Sequence, residues 1–393
     1  MSDAVLPFRV DIPQADLDDL RDRLRRTRWP QEIGDNSNWQ AGTNLAYMRE
    51  LVDYWLNDYD WRAQETAMNK LPQFRTKIDE VPIHFVHVKG KGAPGGPPPM
   101  PLIINPGWPW TFWDMRKIIG PLSDPAAHGG VAADAFEVIA PSLPGFAFSS
   151  PLTTPGIYFT PTADLWARLM TRLGHERFAT QGGDIGAFVS AMLGHKYADR
   201  VIGAHLHLLM ALKPPFPTAK DFAPEEAEWG KKGAAFFADG SGYMQIQRTR
   251  PQTISFAMHD SPVGLAAWLI EKRRAWSDCG GDIESLFTRD DLITTAMIYW
   301  LTETYESSAR HYYEARPENF LPAHVHDRTP VVEVPTAALQ FKGDVWLQPR
   351  KWAERYYNLQ RWNVVEKGGH FAPMEAPEVL VDDIREFFRQ LRN

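Results

Sequence analysis

The chain has a single cysteine, Cys279, among 393 residues. An intrachain disulfide and a cysteine-built metal centre are therefore excluded, and a reducing compartment is allowed. Long apolar runs are missing too. No stretch reaches the roughly 18 apolar residues of a membrane-spanning helix. The opening "MSDAVLPFRVDIPQADLDDLRDRLRRTRWP" lacks the short apolar centre of a secretory signal and reads as a strand followed by a charged helix. Basic runs are absent, and the net charge is −7. Neither nucleic acid nor an anionic membrane surface is an expected partner. A cytoplasmic chain is the expectation, and a homodimer is compatible with it.

What the chain has in excess is proline and tryptophan, 32 and 15 residues. Many prolines predict many rigid loops, and many tryptophans predict heavy cores or an aromatic-walled cavity. Residues 1 to about 75 have helical, amphipathic spacing, with Leu17, Leu20, Leu24 and Trp29 separated by charge. From there to about residue 210, apolar strands alternate with helices, which predicts a mostly parallel sheet with helices on both faces. Residues 211–322 are proline-rich, then helical and aromatic. Sheet character returns over 323–393 with "VPTAALQFKGD", a helix, a second strand and a last helix. The expected organisation is an N-terminal helical meander (1–75), an α/β core in two parts (76–210 and 323–393) and a helical cap inserted between them (211–322).

The stretch "QGGDIGAFVS" stands where a strand ends and a helix begins. Gly182, Asp184 and Gly186 fill the Gly-x-nucleophile-x-Gly pattern of the nucleophile elbow in the α/β-hydrolase fold, with a carboxylate in the nucleophile slot. The bland alternative is a glycine-rich turn with Asp184 as an N-cap. The partners argue against it. This fold orders its triad as nucleophile, acid, histidine. Asp344 follows the strand of "LQFKGDVW", and His370 lies in a glycine loop, "VVEKGGHFAPMEAP", past the next strand. Upstream, "NPGWPW" follows a buried strand where the fold builds half of its oxyanion hole. The backbone amides of Trp108 and Ile185 are the candidate donors.

Over nearly its whole length the chain resembles the epoxide hydrolases of the α/β-hydrolase superfamily, in the microsomal-type branch. The resemblance rests on "FRVDIPQADLDDLRDRLRRTRWP", "VIAPSLPGFAFSS", "GGDIGAFVS", "SGYMQIQRTRPQT", "DSPVGLAAWLIEK", "YWLTETYESSARHYYE" and "GGHFAPMEAPE". It implies a soluble relative of bacterial type, without the membrane anchor of mammalian members. It implies Asp184 as nucleophile, His370 as base and Asp344 as the acid partner. It also implies two cap tyrosines as proton donors, Tyr243 and Tyr312, with Tyr313 the alternative to Tyr312. The chain departs from the family at Pro106, where the family has His, at Trp110, where it has Gly, and at Ile185, often Trp.

With those roles, an apolar small-molecule epoxide becomes a vicinal diol through a hydroxyalkyl ester on Asp184. Water activated by His370 and Asp344 then hydrolyses the ester. No cofactor and no metal is expected. Trp110, Trp268 and Trp300 are the candidate substrate contacts, among cap aromatics that also include Phe216, Phe222, Trp229, Phe236, Phe237 and Trp276. A haloalkane dehalogenase also uses an aspartate elbow and is the nearest rival; a hydrolase fold kept only for binding is another. The pairs His205/His207 and His324/His326 lack an evident third metal ligand. Cys279 is read as an idle loop thiol.

Overall fold

In the computed structural model, residues 4–316 and 325–392 are described. Nine strands form one sheet in the order β1-β2-β3-β5-β4-β6-β7-β8-β9. They are β1 (Leu6–Phe8), β2 (Gln73–Ile78), β3 (Val81–Val88), β4 (Met100–Asn105), β5 (Phe136–Pro141), β6 (Phe178–Gly182), β7 (Val201–Leu206), β8 (Val332–Phe341) and β9 (Tyr357–Val365). β1, β2, β3 and β5 pair antiparallel, and every pairing from β5 through β4 to β9 is parallel. Parallel strands need both faces covered, and the central ones are accordingly apolar throughout. Leu102, Ile103 and Ile104 of β4 have no exposed surface. Helices α5 (Phe159–Arg172) and α6 (Ile185–Lys196) pack on each other and on the sheet. A second group, α4 (Arg116–Ser123) and the last helix (Pro377–Arg389), does the same. The chain therefore has the α/β-hydrolase fold.

The N-terminal segment is helical from α1 (Gln14–Arg25) through α2 (Leu45–Asn57) to α3 (Trp61–Met68). Leu17, Leu20 and Leu24 are its buried stripe, while α1 stops before Trp29. The strand expected ahead of the charged helix is β1, which runs along β2 and ties the segment to the sheet edge.

Between β7 and β8 the chain leaves the sheet. It forms α7 (Ala227–Ala235), α8 (Gly242–Thr249), α9 (Pro251–Met258), α10 (Pro262–Trp276), α11 (Arg289–Leu301) and α12 (Tyr305–Glu314). The N-terminal helices clasp this insert. Thr43 donates to the Ala267 carbonyl, Tyr54 to Asp290, and Tyr59 shares a hydrogen bond with Thr294. The expected insert boundary at 322 lies outside the described residues, as does His324. Among the described residues no helix is long and apolar enough to cross a membrane.

Candidate active site

β6 ends at Gly182 and α6 begins at Ile185, so Asp184 sits on a two-residue bend. Its backbone has φ +50° and ψ −128°, a region that costs a non-glycine residue of order 1–3 kcal/mol. Small neighbours make the bend possible. A Cβ on Gly186 would lie 2.1 Å from the Asn105 carbonyl oxygen. Asp184 occupies the N-cap position, but its side chain makes no capping hydrogen bond. It turns into a cavity instead.

The loop after β4 meets it there. The Trp108 amide donates to Asp184 Oδ1 at 2.8 Å. This approach requires glycine at 107, where a Cβ would lie 2.4 Å from the Asp184 Cβ. Ile185 supplies the first amide of α6, a group with no carbonyl partner inside its own helix, and it also lines the cavity.

His370 stands on the other side of the carboxylate. Its Nε2 is 3.5 Å from Asp184 Oδ2, and its Nδ1 is 3.0 Å from Asp344 Oδ1. Burial would by itself lower this imidazole. The charges of Asp344 and Asp184 outweigh it and push His370 up to about 10. In the resting site the ring is thus an imidazolium between two carboxylates.

The cap closes the site with two phenols. Tyr243 in the first turn of α8 and Tyr312 on α12 both line the cavity, and their rings meet edge-to-face with centres 5.9 Å apart. Burial holds both above the ordinary tyrosine range, with the charge on Asp184 acting in the same direction on each, so both remain protonated. Trp108 stacks on Tyr243, with ring centres 5.0 Å apart and planes 5° from parallel. Tyr313 lies under the Arg316 guanidinium and does not line the cavity.

The cavity measures about 430 Å³. Its walls include Phe159, Phe188, Phe236, Trp276, Trp346 and Met244, and apart from the reacting groups Arg248 and His311 are its polar lining, so it is mainly apolar. This size and character fit a small apolar ligand.

The three tryptophans expected to touch substrate do not line it. Trp268 hydrogen-bonds Gln247 and lies under the Lys272 ammonium, behind α8. Trp300 faces the N-terminal segment, under the Arg23 guanidinium of α1. Cap helices are buried on several sides, and these two residues face helix neighbours. Trp110, fully buried, fills the space behind the histidine. It stacks on His207 at 5.7 Å and meets the His370 ring edge-on at 5.6 Å. Trp110 also anchors its loop, since its carbonyl accepts from the Tyr299 hydroxyl at 3.0 Å.

Trp276 is one of the expected cap aromatics, whereas Glu375 escapes sequence reasoning. Trp276, at the end of α10, packs edge-on against His370 and lies tilted beside Tyr243, and its carbonyl accepts from the His370 amide at 3.0 Å. Glu375 accepts from the amides of Phe371 and Asp278, tying the histidine loop to the cap. Burial pushes Glu375 up to about 7. The acidic residue five places after His370 in "GGHFAPMEAP" was the available signal.

The features set aside are also placed. His205 pairs with Asp383, and His207 bonds Gln181 and fills the space beside Gly183, so each has its own partner. Cys279 is buried near the Arg274 carbonyl.

The family profile described as "Epoxide hydrolase N terminus" matches residues 5–115, and that described as "alpha/beta hydrolase fold" matches residues 100–377. Epoxide hydrolase 1 of Oryctolagus cuniculus is 36% identical over 98% of this chain and 89% of its own length. Among solved structures, the juvenile hormone epoxide hydrolase of the silkworm Bombyx mori superposes with a TM-score of 0.90 at 27% identity, over 100% of this chain and 95% of that one. The Aspergillus niger epoxide hydrolase superposes with a TM-score of 0.85 at 28% identity, over 99% and 97% of the two chains.

Proposed function

The chain belongs to the epoxide hydrolase family, and on that premise we propose that it opens an apolar epoxide by forming a covalent hydroxyalkyl ester on Asp184. One observation carries the proposal. Two protonated phenols, Tyr243 and Tyr312, line the same apolar cavity as a carboxylate whose Oδ1 is held by the Trp108 amide. An epoxide needs a nucleophile at carbon and an acid at oxygen at the same moment, and this cavity supplies both.

Oδ2 attacks a ring carbon, the carbon–oxygen bond breaks, and a tyrosine hydroxyl gives its proton to the departing oxygen. The ester bond removes the negative charge at 184. Part of what raised His370 disappears with it, so the imidazolium loses its proton more readily and returns it to the tyrosinate. The neutral Nε2 then takes a proton from water, and the hydroxide adds to the ester carbonyl. Asp344 holds the ring through Nδ1 and steadies the charge that returns to it. The tetrahedral oxyanion meets the amides of Trp108 and Ile185, each such donor being worth about 3 kcal/mol. Collapse breaks the bond to the alkoxide, which takes the proton of the added hydroxyl, so that the vicinal diol leaves and the Asp184 carboxylate is restored beside the imidazolium.

The test is product analysis with styrene oxide and a haloalkane of matched size. Diol from the epoxide, no halide from the haloalkane, and a covalent adduct in His370→Gln seen by intact mass are expected. Halide release without diol would refute the proposal in favour of a dehalogenase.

A further inference from the structure

We propose that a second apolar chamber, reached from the active-site cavity past Phe237 and Trp346, receives the tail of a long-chain epoxide. The proposal rests on the epoxide-opening site just described and adds the substrate class: terminal epoxides with an extended, uncharged alkyl chain.

The two cavities share a wall. Phe188, Phe216, Phe237 and Trp346 line both of them. Phe237 and Trp346 meet edge-to-face with ring centres 5.0 Å apart, which makes them the partition. The chamber beyond measures about 470 Å³, and no charged side chain lines it. Phe222 and Trp229 form part of it, over a surface made by Gly230, Gly233 and Ala234 of α7.

Three details point to a ligand here. Glycine inside a helix costs about 1 kcal/mol relative to alanine, yet α7 carries two, and both face this chamber. A Cβ on Gly230 would meet nothing nearer than the Phe222 ring, 3.6 Å away, so its absence leaves usable space. Next, Phe216 and Phe237 are 50% and 45% exposed, although both stand at the junction of two apolar cavities. An alkyl chain threaded past them would cover that surface. Finally, Phe236–Gly240 forms one π-helical turn, a distortion often found at functional sites. It sets Phe236 on the active-site cavity alone and Phe237 on both.

The continuity with the reacting site selects the occupant. A chain attached to an epoxide held at Asp184 reaches this chamber along the shared apolar wall of Phe188, Phe216, Phe237 and Trp346. A charged or strongly polar tail finds no ionic partner among its lining residues.

The experiment compares terminal epoxides of increasing alkyl length, from butylene oxide to dodecene oxide, in the wild-type enzyme and in Gly230→Leu. The readout is the kcat/KM ratio of dodecene oxide to butylene oxide. In the wild type kcat/KM should climb with chain length. In Gly230→Leu the ratio should fall about tenfold or more, since several methylenes lose their site. Ala234→Leu, from the same helix, should act in the same direction and covers a folding defect in the first variant. A ratio equal in all three proteins would overturn the proposal. So would an unchanged ratio accompanied by loss of binding to phosphatidylcholine vesicles or loss of a dimer in sedimentation, because the chamber would then be an interface. Absence of turnover of every epoxide in the series by the wild type would refute the epoxide reading itself.

Discussion

The Trp108 amide donates to Asp184 Oδ1 at 2.8 Å, so the loop after β4 holds one oxygen of the carboxylate that the bend after β6 raises. Oδ2 is the oxygen left facing His370 Nε2, 3.5 Å away. The same arrangement serves both halves of the reaction. While Asp184 is a carboxylate, one oxygen is fixed and the other attacks. Once it is an ester, the fixed oxygen is the carbonyl oxygen on which charge develops.

The phenol pair should govern ring opening. Tyr243→Phe and Tyr312→Phe together remove both proton donors and leave the apolar cavity its shape. The alkylation rate, followed by tryptophan fluorescence in single turnovers, should fall by about 10²–10⁴. Each single variant should lose less, since the remaining hydroxyl still reaches the cavity. A double variant that opens styrene oxide at the wild-type rate would contradict the assignment.

The charge at 184 should set the titration of His370. It is pushed up to about 10 by Asp344 and Asp184 against the lowering effect of burial. A raised pKa means the imidazolium persists below about 10 and is lost as pH rises through that value. Asp184→Asn removes one of the two charges, as ester formation does. In ring-nitrogen NMR, His370 should then titrate at least about one unit lower than in the wild type. An identical titration in both proteins would show that Asp184 does not control the base.

Trp110 should matter for stability. It is fully buried between His207 and His370. Trp110→Gly restores the residue expected of the family and leaves a cavity behind the catalytic ring. Such losses cost about 3–5 kcal/mol, to be read as a lowered midpoint in chemical denaturation. A change under about 1 kcal/mol would mean that the loop collapses to fill the space.

The elbow was legible because its constraint is local. Glycines flanking an acidic residue between strand and helix leave few other meanings, and the later Asp344 and His370 follow in the order the fold requires. The phenols were not legible from spacing, since Tyr243 and Tyr312 lie on separate cap helices far apart in sequence, and only resemblance singled them out. Trp268 and Trp300 were misplaced for a physical reason. A cap helix is buried against the core, against other cap helices and against the N-terminal segment, so periodicity shows that a face is covered but not by what. Glu375 was overlooked because a carboxylate that binds two backbone amides looks, in sequence, like any acidic residue in a loop. The short strand β1 ahead of the charged helix α1 was legible in the opening stretch, whereas its pairing along β2 was not, since three residues carry little period.

Isotope placement bears most directly on the covalent step. One turnover in oxygen-18 water, with enzyme in excess of epoxide, is followed by mass analysis of the diol and of the peptide holding Asp184. Label in the Asp184 carboxylate and none in the first diol is the expected result. Label in the first diol, with an unlabelled Asp184, would mean that water opens the ring directly and that no ester forms.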